Sequence, residues 1–187
     1  MMDGKALSYK ISTEWAVVDF ARFLSASIIF SLVLSSAASA SDVWQVRKIT
    51  SKIDDSLNVI ADVTAKTPVY DRFGRGHMVK AVVACRQGKT DFFIAFGQMF
   101  MADIQGYGDV TVRLDKEPSR ILQMKTSTDH QALGLWNDSG NWVLEDMAGN
   151  LNMLIVATPY NQSRIETEIS LRGFDKALLE VRRACRW

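Results

Sequence analysis

Two cysteines constrain this 187-residue chain more than any other feature. Cys85 sits in a strongly apolar run, Met78-Val-Lys-Ala-Val-Val-Ala-Cys-Arg86, which reads as a buried strand. Cys185 sits near the C-terminus in a stretch that starts as a strand at Ile169, turns at Gly173 and continues as a helix. Phe174, Leu178, Val181 and Cys185 recur there at helical spacing, whereas Lys176, Glu180, Arg182 and Arg183 fall on the other faces. The spacing predicts an amphipathic helix with its apolar stripe turned inward, which brings Cys185 against the core. A bond between Cys85 and Cys185 would tie the tail helix to a central strand. The alternative is two unpaired buried thiols.

Compartment bears on that choice. Phe23–Leu34 is a 12-residue apolar run preceded by Arg22 and followed by Ala38-Ser39-Ala40, the small-x-small pattern of a secretory cleavage site. The run is shorter than the roughly 18 residues expected of a membrane-spanning helix. Residues 1–40 are therefore expected to be a signal peptide, and 41–187 a single periplasmic domain with no integral membrane segment. A retained membrane anchor is the competing reading. The long leader, with Asp3, Glu14 and Asp19, leaves open a start downstream of Met1. An even cysteine count in an exported protein favours a disulfide over free thiols. Closing a loop of roughly 100 residues would contribute roughly 4.7 kcal/mol in the chain-entropy model.

Charge is balanced, 22 Lys+Arg against 21 Asp+Glu, with no basic stripe, so no nucleic-acid partner is expected. From Val43 onward the pattern is one of short strands. Trp44 and Val46 share one face of the first. Gln87-Gly-Lys89 turns the Cys85 strand back into Thr90–Phe96 as a hairpin. Thr67–Gly76, with a proline and two glycines, reads as a loop. Val110, Val112 and Leu114 alternate inward against Thr111, Arg113 and Asp115. The fold class expected is α+β: mainly antiparallel short strands, β-sandwich-like, with a short helix near 140–149 carrying Trp142, Val143 and Met147 along one side. The C-terminal helix packs on the sheet.

Little in the chain signals chemistry. His77 and His130, the two histidines, lie in loop contexts without metal-ligand spacing and read as solvated. Asp54 and Asp55 are adjacent, so on extended backbone they point opposite ways and do not converge on one atom; turn formation accounts for them better. No nucleophile elbow, phosphate loop or dinucleotide fingerprint is present. No catalytic residue, cofactor or metal ligand is expected. The tryptophans could line a groove, although at such loose spacing they read as core or rim residues.

Several stretches together resemble the VasI/TagO family of type VI secretion-associated proteins. They are the exported N-terminus, Trp44 ahead of Ile53-Asp-Asp-Ser-Leu-Asn-Val59, the strand ending in Cys85-Arg86, Trp136-Asn-Asp-Ser139, Ser170-Leu-Arg-Gly-Phe-Asp-Lys-Ala-Leu-Leu, and Arg183-Ala-Cys-Arg-Trp187. The resemblance implies a small envelope protein that accompanies a secretion apparatus and carries the Cys85–Cys185 bridge; it transfers no catalytic residue. Asp54, Asp55, Trp136 and Trp187 fall in these stretches and are the candidate interaction residues. The function expected is a non-enzymatic periplasmic accessory acting on protein partners of the cell envelope. Two alternatives stand beside it: an envelope hydrolase or hydrolase inhibitor using His77 or His130, and a small-ligand binder with a tryptophan-lined groove.

Overall fold

The structure, a computed structural model, describes residues 43–187. The apolar leader and the cleavage site expected after Ala40 lie outside the described residues. The chain enters with β1 (Gln45–Thr50) and β2 (Leu57–Thr64), then the short β3 (Val69–Tyr70) and β4 (Gly76–His77). Next come β5 (Lys80–Arg86), β6 (Lys89–Ala95), β7 (Asp109–Leu114), β8 (Arg120–Gln123), β9 (Lys125–Thr126) and β10 (Ala132–Leu135). The helix α1 (Asn141–Met147), strands β11 (Asn152–Ala157) and β12 (Ile165–Ser170), and the helix α2 (Phe174–Cys185) complete it.

Every strand pair is antiparallel. Six strands form one sheet in the order β1-β2-β5-β6-β10-β9, and four form a second in the order β12-β11-β7-β8. The expected α+β class, with antiparallel strands and a tail helix on a sheet, is what the chain adopts. The Thr67–Gly76 stretch departs from its reading as a loop: β3 and β4 pair across it as a two-stranded ribbon. Val69 is buried there, which gives the ribbon an inward side despite its proline and glycines.

The period-2 pattern decides which face of the large sheet is covered. Val59, Ala61, Ala81, Val83, Cys85, Phe92, Ile94 and Leu133 point to one side, where α2 packs, and all belong to one continuous core. That core also takes Val110, Val112, Met153, Ile155 and Ile169 from the second sheet. On α2, Phe174, Leu178, Val181 and Cys185 are buried, with Ala177 between them, as the helical spacing requires. Burying each large apolar side chain contributes about 1.5–3 kcal/mol. Asp175 in the first turn and Arg182 and Arg183 in the last complement the helix dipole. The Cys85 and Cys185 sulfurs are bonded at 2.04 Å, with Cα atoms 5.6 Å apart.

Trp44 is buried just ahead of β1 rather than within it; its indole N–H donates to the Ser170 carbonyl at 3.1 Å and its ring lies 4.9 Å from that of Phe174. Val46 is exposed, so the two do not share a buried face. In α1 the buried side is Val143, Leu144 and Met147, while Trp142 is exposed beneath the Arg120 guanidinium. Among the described residues no helix is long and apolar enough to cross a membrane.

Candidate functional site

With α2 on one face of the six-stranded sheet, the opposite face is left open, and a groove of about 620 Å³ crosses it over β5, β6 and β10. Small residues make its floor: Ala95 pairs with Ala132 across β6 and β10, and Gly97 follows β6. Taller side chains wall it, Met78 and Lys80 on one side, Phe93 and Trp136 on another, and the 126–131 turn on a third. A second, more polar depression of about 500 Å³ lies on the same face towards β1, lined by Asn58, Ile60, Asp91 and Asn137. Arg86 lines both.

Trp136 is held in place from several directions. Its indole N–H donates to the Lys125 carbonyl at 3.1 Å, and its ring stacks on Phe93 with centroids 5.3 Å apart and planes 29° apart. The ring lies so close over Gly134 that a Cβ there would come within 2.7 Å of it, and within 2.7 Å of the Phe93 Cβ. The residues after Trp136 form the brace. Asn137 and Asp138 both take positive φ, 53° and 67°. The Asn137 N–H donates to Asp91 Oδ1 at 2.9 Å, and the Asp138 N–H to the Thr90 carbonyl at 2.7 Å. Asp138 in turn accepts from the Thr90 N–H at 2.8 Å and from Lys89 Nζ at 2.9 Å. The Thr90 N–H and then the Lys89 ammonium hold its carboxyl below the usual aspartate range. The Trp136-Asn-Asp-Ser139 motif is therefore a clamp onto the start of β6, and Trp136 is what the clamp positions.

The other residues singled out in the sequence are not gathered at this groove. Asp54 closes the β1–β2 turn: its Oδ1 accepts from the Ser56 hydroxyl at 2.9 Å and the Ser56 N–H at 3.3 Å. The hydroxyls of Ser51 and Ser56 lower its pKa. Asp55 takes a positive φ of 54° in the same turn and lines a crevice beside Cys185. Trp187 packs partly into the core with the Arg182 guanidinium 4.5 Å from its ring centroid.

The histidines separate. His77 is not a solvated loop residue: it ends the β3–β4 ribbon, is buried, and has both ring nitrogens engaged. Nε2 lies 3.1 Å from Asp71 Oδ2, and the Gln98 N–H donates to Nδ1 at 3.4 Å, which makes Nε2 the donor to the carboxylate. Asp71 also accepts from the N–H groups of Phe73 and Arg75 and from Arg75 Nε. Burial pushes its carboxyl up, but the Arg75 N–H, His77, the Arg75 side chain and the Phe73 N–H outweigh that and hold it well below the usual range. His130 is exposed in the 126–131 turn and stacks on Phe100, centroids 4.8 Å apart. Among the described residues no group of three or more His, Cys, Asp or Glu side chains is placed to hold a metal ion.

Sequence reasoning named Trp136 but missed Phe93, Lys80 and Arg86 as its companions. The signal was present in part: Lys80 and Arg86 are the polar members of an otherwise apolar strand, two positions that alternation puts on the face away from Cys85.

No protein-family model matches the chain, and no curated protein does. Among solved structures it is similar to the crystal structure of invasion associated protein B from Bartonella henselae, at 10% identity, with 78% of this chain and 95% of that one covered and a TM-score of 0.47.

Proposed function

We propose that this is an exported, non-enzymatic protein of the cell envelope that works by contact with a protein partner, and that the open face around Trp136 is its contact surface. One observation carries the reading. The chain uses a run of backbone and carboxylate hydrogen bonds to hold a half-exposed tryptophan rigid against Phe93 over an open groove. A large aromatic side chain ordered in advance loses little further freedom on binding, and such residues dominate the energetics of protein interfaces. Export rests on the leader sequence. A type VI secretion apparatus as the setting rests on the sequence resemblance alone.

The test is site-specific photo-crosslinking in the producing cell. A benzophenone side chain in place of Thr128, on the groove rim, is expected to give discrete adducts that Trp136→Ala abolishes. The same group in place of Ile121, exposed on the four-stranded sheet, should not give them. Identical adducts from both positions, or none from position 128, would overturn the reading. An adduct with a component of another envelope system would overturn the type VI setting while leaving the contact surface in place.

A further inference from the structure

The groove carries charge as well as apolar surface, and the two are placed in register. In the β5–β6 pairing Phe93 lies opposite Val82 and Ala95 lies opposite Lys80. Phe93 and Lys80 are therefore diagonal neighbours on the open face, two residues apart along the strands, or roughly 7 Å. Arg86 is paired with Asp91 at 2.7 Å. On the rim, Asp129 is occupied by the Ser127 hydroxyl and the Gln131 N–H, at 2.5 and 3.1 Å. Lys80, by contrast, has no carboxylate partner among the described residues. The groove thus joins an aromatic platform and an adaptable methionine, Met78, to one uncompensated ammonium.

We propose that this groove takes an extended segment of a protein partner that sets an aromatic or large apolar side chain against Phe93 and Trp136 and, two residues further on, a carboxylate against Lys80. The spacing follows from the occupant's own geometry. In an extended chain residues i and i+2 share a face and lie roughly 6.6–6.8 Å apart, the step that separates Phe93 from the Lys80 row. The proposal rests on the contact reading above and specifies its chemistry. An uncharged glycan stacked on the tryptophan is the rival it must exclude, since that ligand would make no use of Lys80.

The probe is the peptide acetyl-Gly-Phe-Gly-Glu-Gly-amide, titrated into the protein purified from the envelope and followed at the Trp136 indole N–H resonance. Saturable shifts are expected. They should weaken about two- to fivefold when the probe's Glu is replaced by Gln, the size expected of one partly exposed ion pair. Replacing the probe's Phe by Ala, or Trp136→Ala with binding followed at the Phe93 amide, should abolish them. Lys80→Glu should reject this probe and accept acetyl-Gly-Phe-Gly-Lys-Gly-amide instead, a reversal that general loosening of the fold would not produce. The proposal is overturned if the Glu and Gln probes bind alike, if Lys80→Glu fails to reverse the preference, or if chitotriose shifts the resonance while neither peptide does. Should the peptides fail while the position-128 adducts persist, only the peptide chemistry falls; should both fail, the contact reading falls with it.

Discussion

Gly134 is where a single hydrogen atom decides the shape of the open face. A methyl group there would meet the Phe93 Cβ and the Trp136 ring at 2.7 Å, so Gly134→Ala must displace the ring or bend the strand. Overpacking of this kind costs about 1–3 kcal/mol. The expected outcome is a lower urea midpoint with a changed near-ultraviolet circular dichroism signal from Trp136; an unchanged midpoint and signal would mean that the ring is not seated as described. Asp71 supports a second prediction at this scale. Its folded pKa lies below its unfolded value of about 3.9, so its ionised form contributes stability that is present above that pH and fades as pH falls through the folded value. Asp71→Asn should therefore be destabilised relative to the parent at pH 7, with the gap closing as pH drops below about 4. A gap that stays constant to pH 2 would assign the loss to packing rather than to ionisation. Single residues were the least legible part of the sequence. His77 reads as solvated because it follows Gly74-Arg-Gly76, and its burial comes from a long-range approach by the segment around Gly97 that no local pattern encodes.

At the scale of elements, α2 was readable in advance because its stripe repeats at 3.6 residues and is broken cleanly at Gly173. The β5–β6 hairpin was readable for the same kind of reason, a turn dipeptide between two apolar runs. The β3–β4 ribbon was not, since strands of two residues carry no period. The single buried face of α2 offers three large apolar side chains besides Cys185, namely Phe174, Leu178 and Val181, so the covalent tie should matter. Cys185→Ser is expected to expose the last dozen or so residues to protease and to lower the melting temperature by several degrees or more, since loss of a native disulfide in a small exported domain costs about 2–5 kcal/mol. An unshifted melting curve would place the helix's stability in packing alone. The Trp136–Ser139 clamp makes a parallel prediction. Asp138→Ala removes acceptors for the Thr90 N–H and Lys89, and should cost about 1–2 kcal/mol while broadening the Trp136 resonances. Loss of stability with a sharp, unshifted indole signal would separate the clamp from the ring it positions.

For the whole molecule, the legible part was the class: strand after strand with inward alternation, then a closing helix. How strands order into sheets was not legible, because β9 and β10 join the first sheet between the β7–β8 and β11–β12 halves of the second, and such long-range pairing leaves no mark on local spacing. That ordering brings β10, Trp136 and the 126–131 turn beside β6, and so the groove could not be foreseen from Trp136 alone. Mass spectrometry of envelope material should find a chain starting at Ser41 and two hydrogens lighter than its dithiol form; a cytoplasmic full-length chain would overturn export. The bridge also sets how the molecule carries load. Tension applied between Val43 and Trp187 runs along the backbone from β1 through the β3–β4 ribbon into β5, then crosses from Cys85 to Cys185 without entering the 100-residue span between them. Phe93, Trp136 and their clamp sit inside that shielded lasso. In a single-molecule pulling experiment the oxidised chain should extend only by its N-terminal strands, and adding reductant should release roughly 350 Å more of contour length.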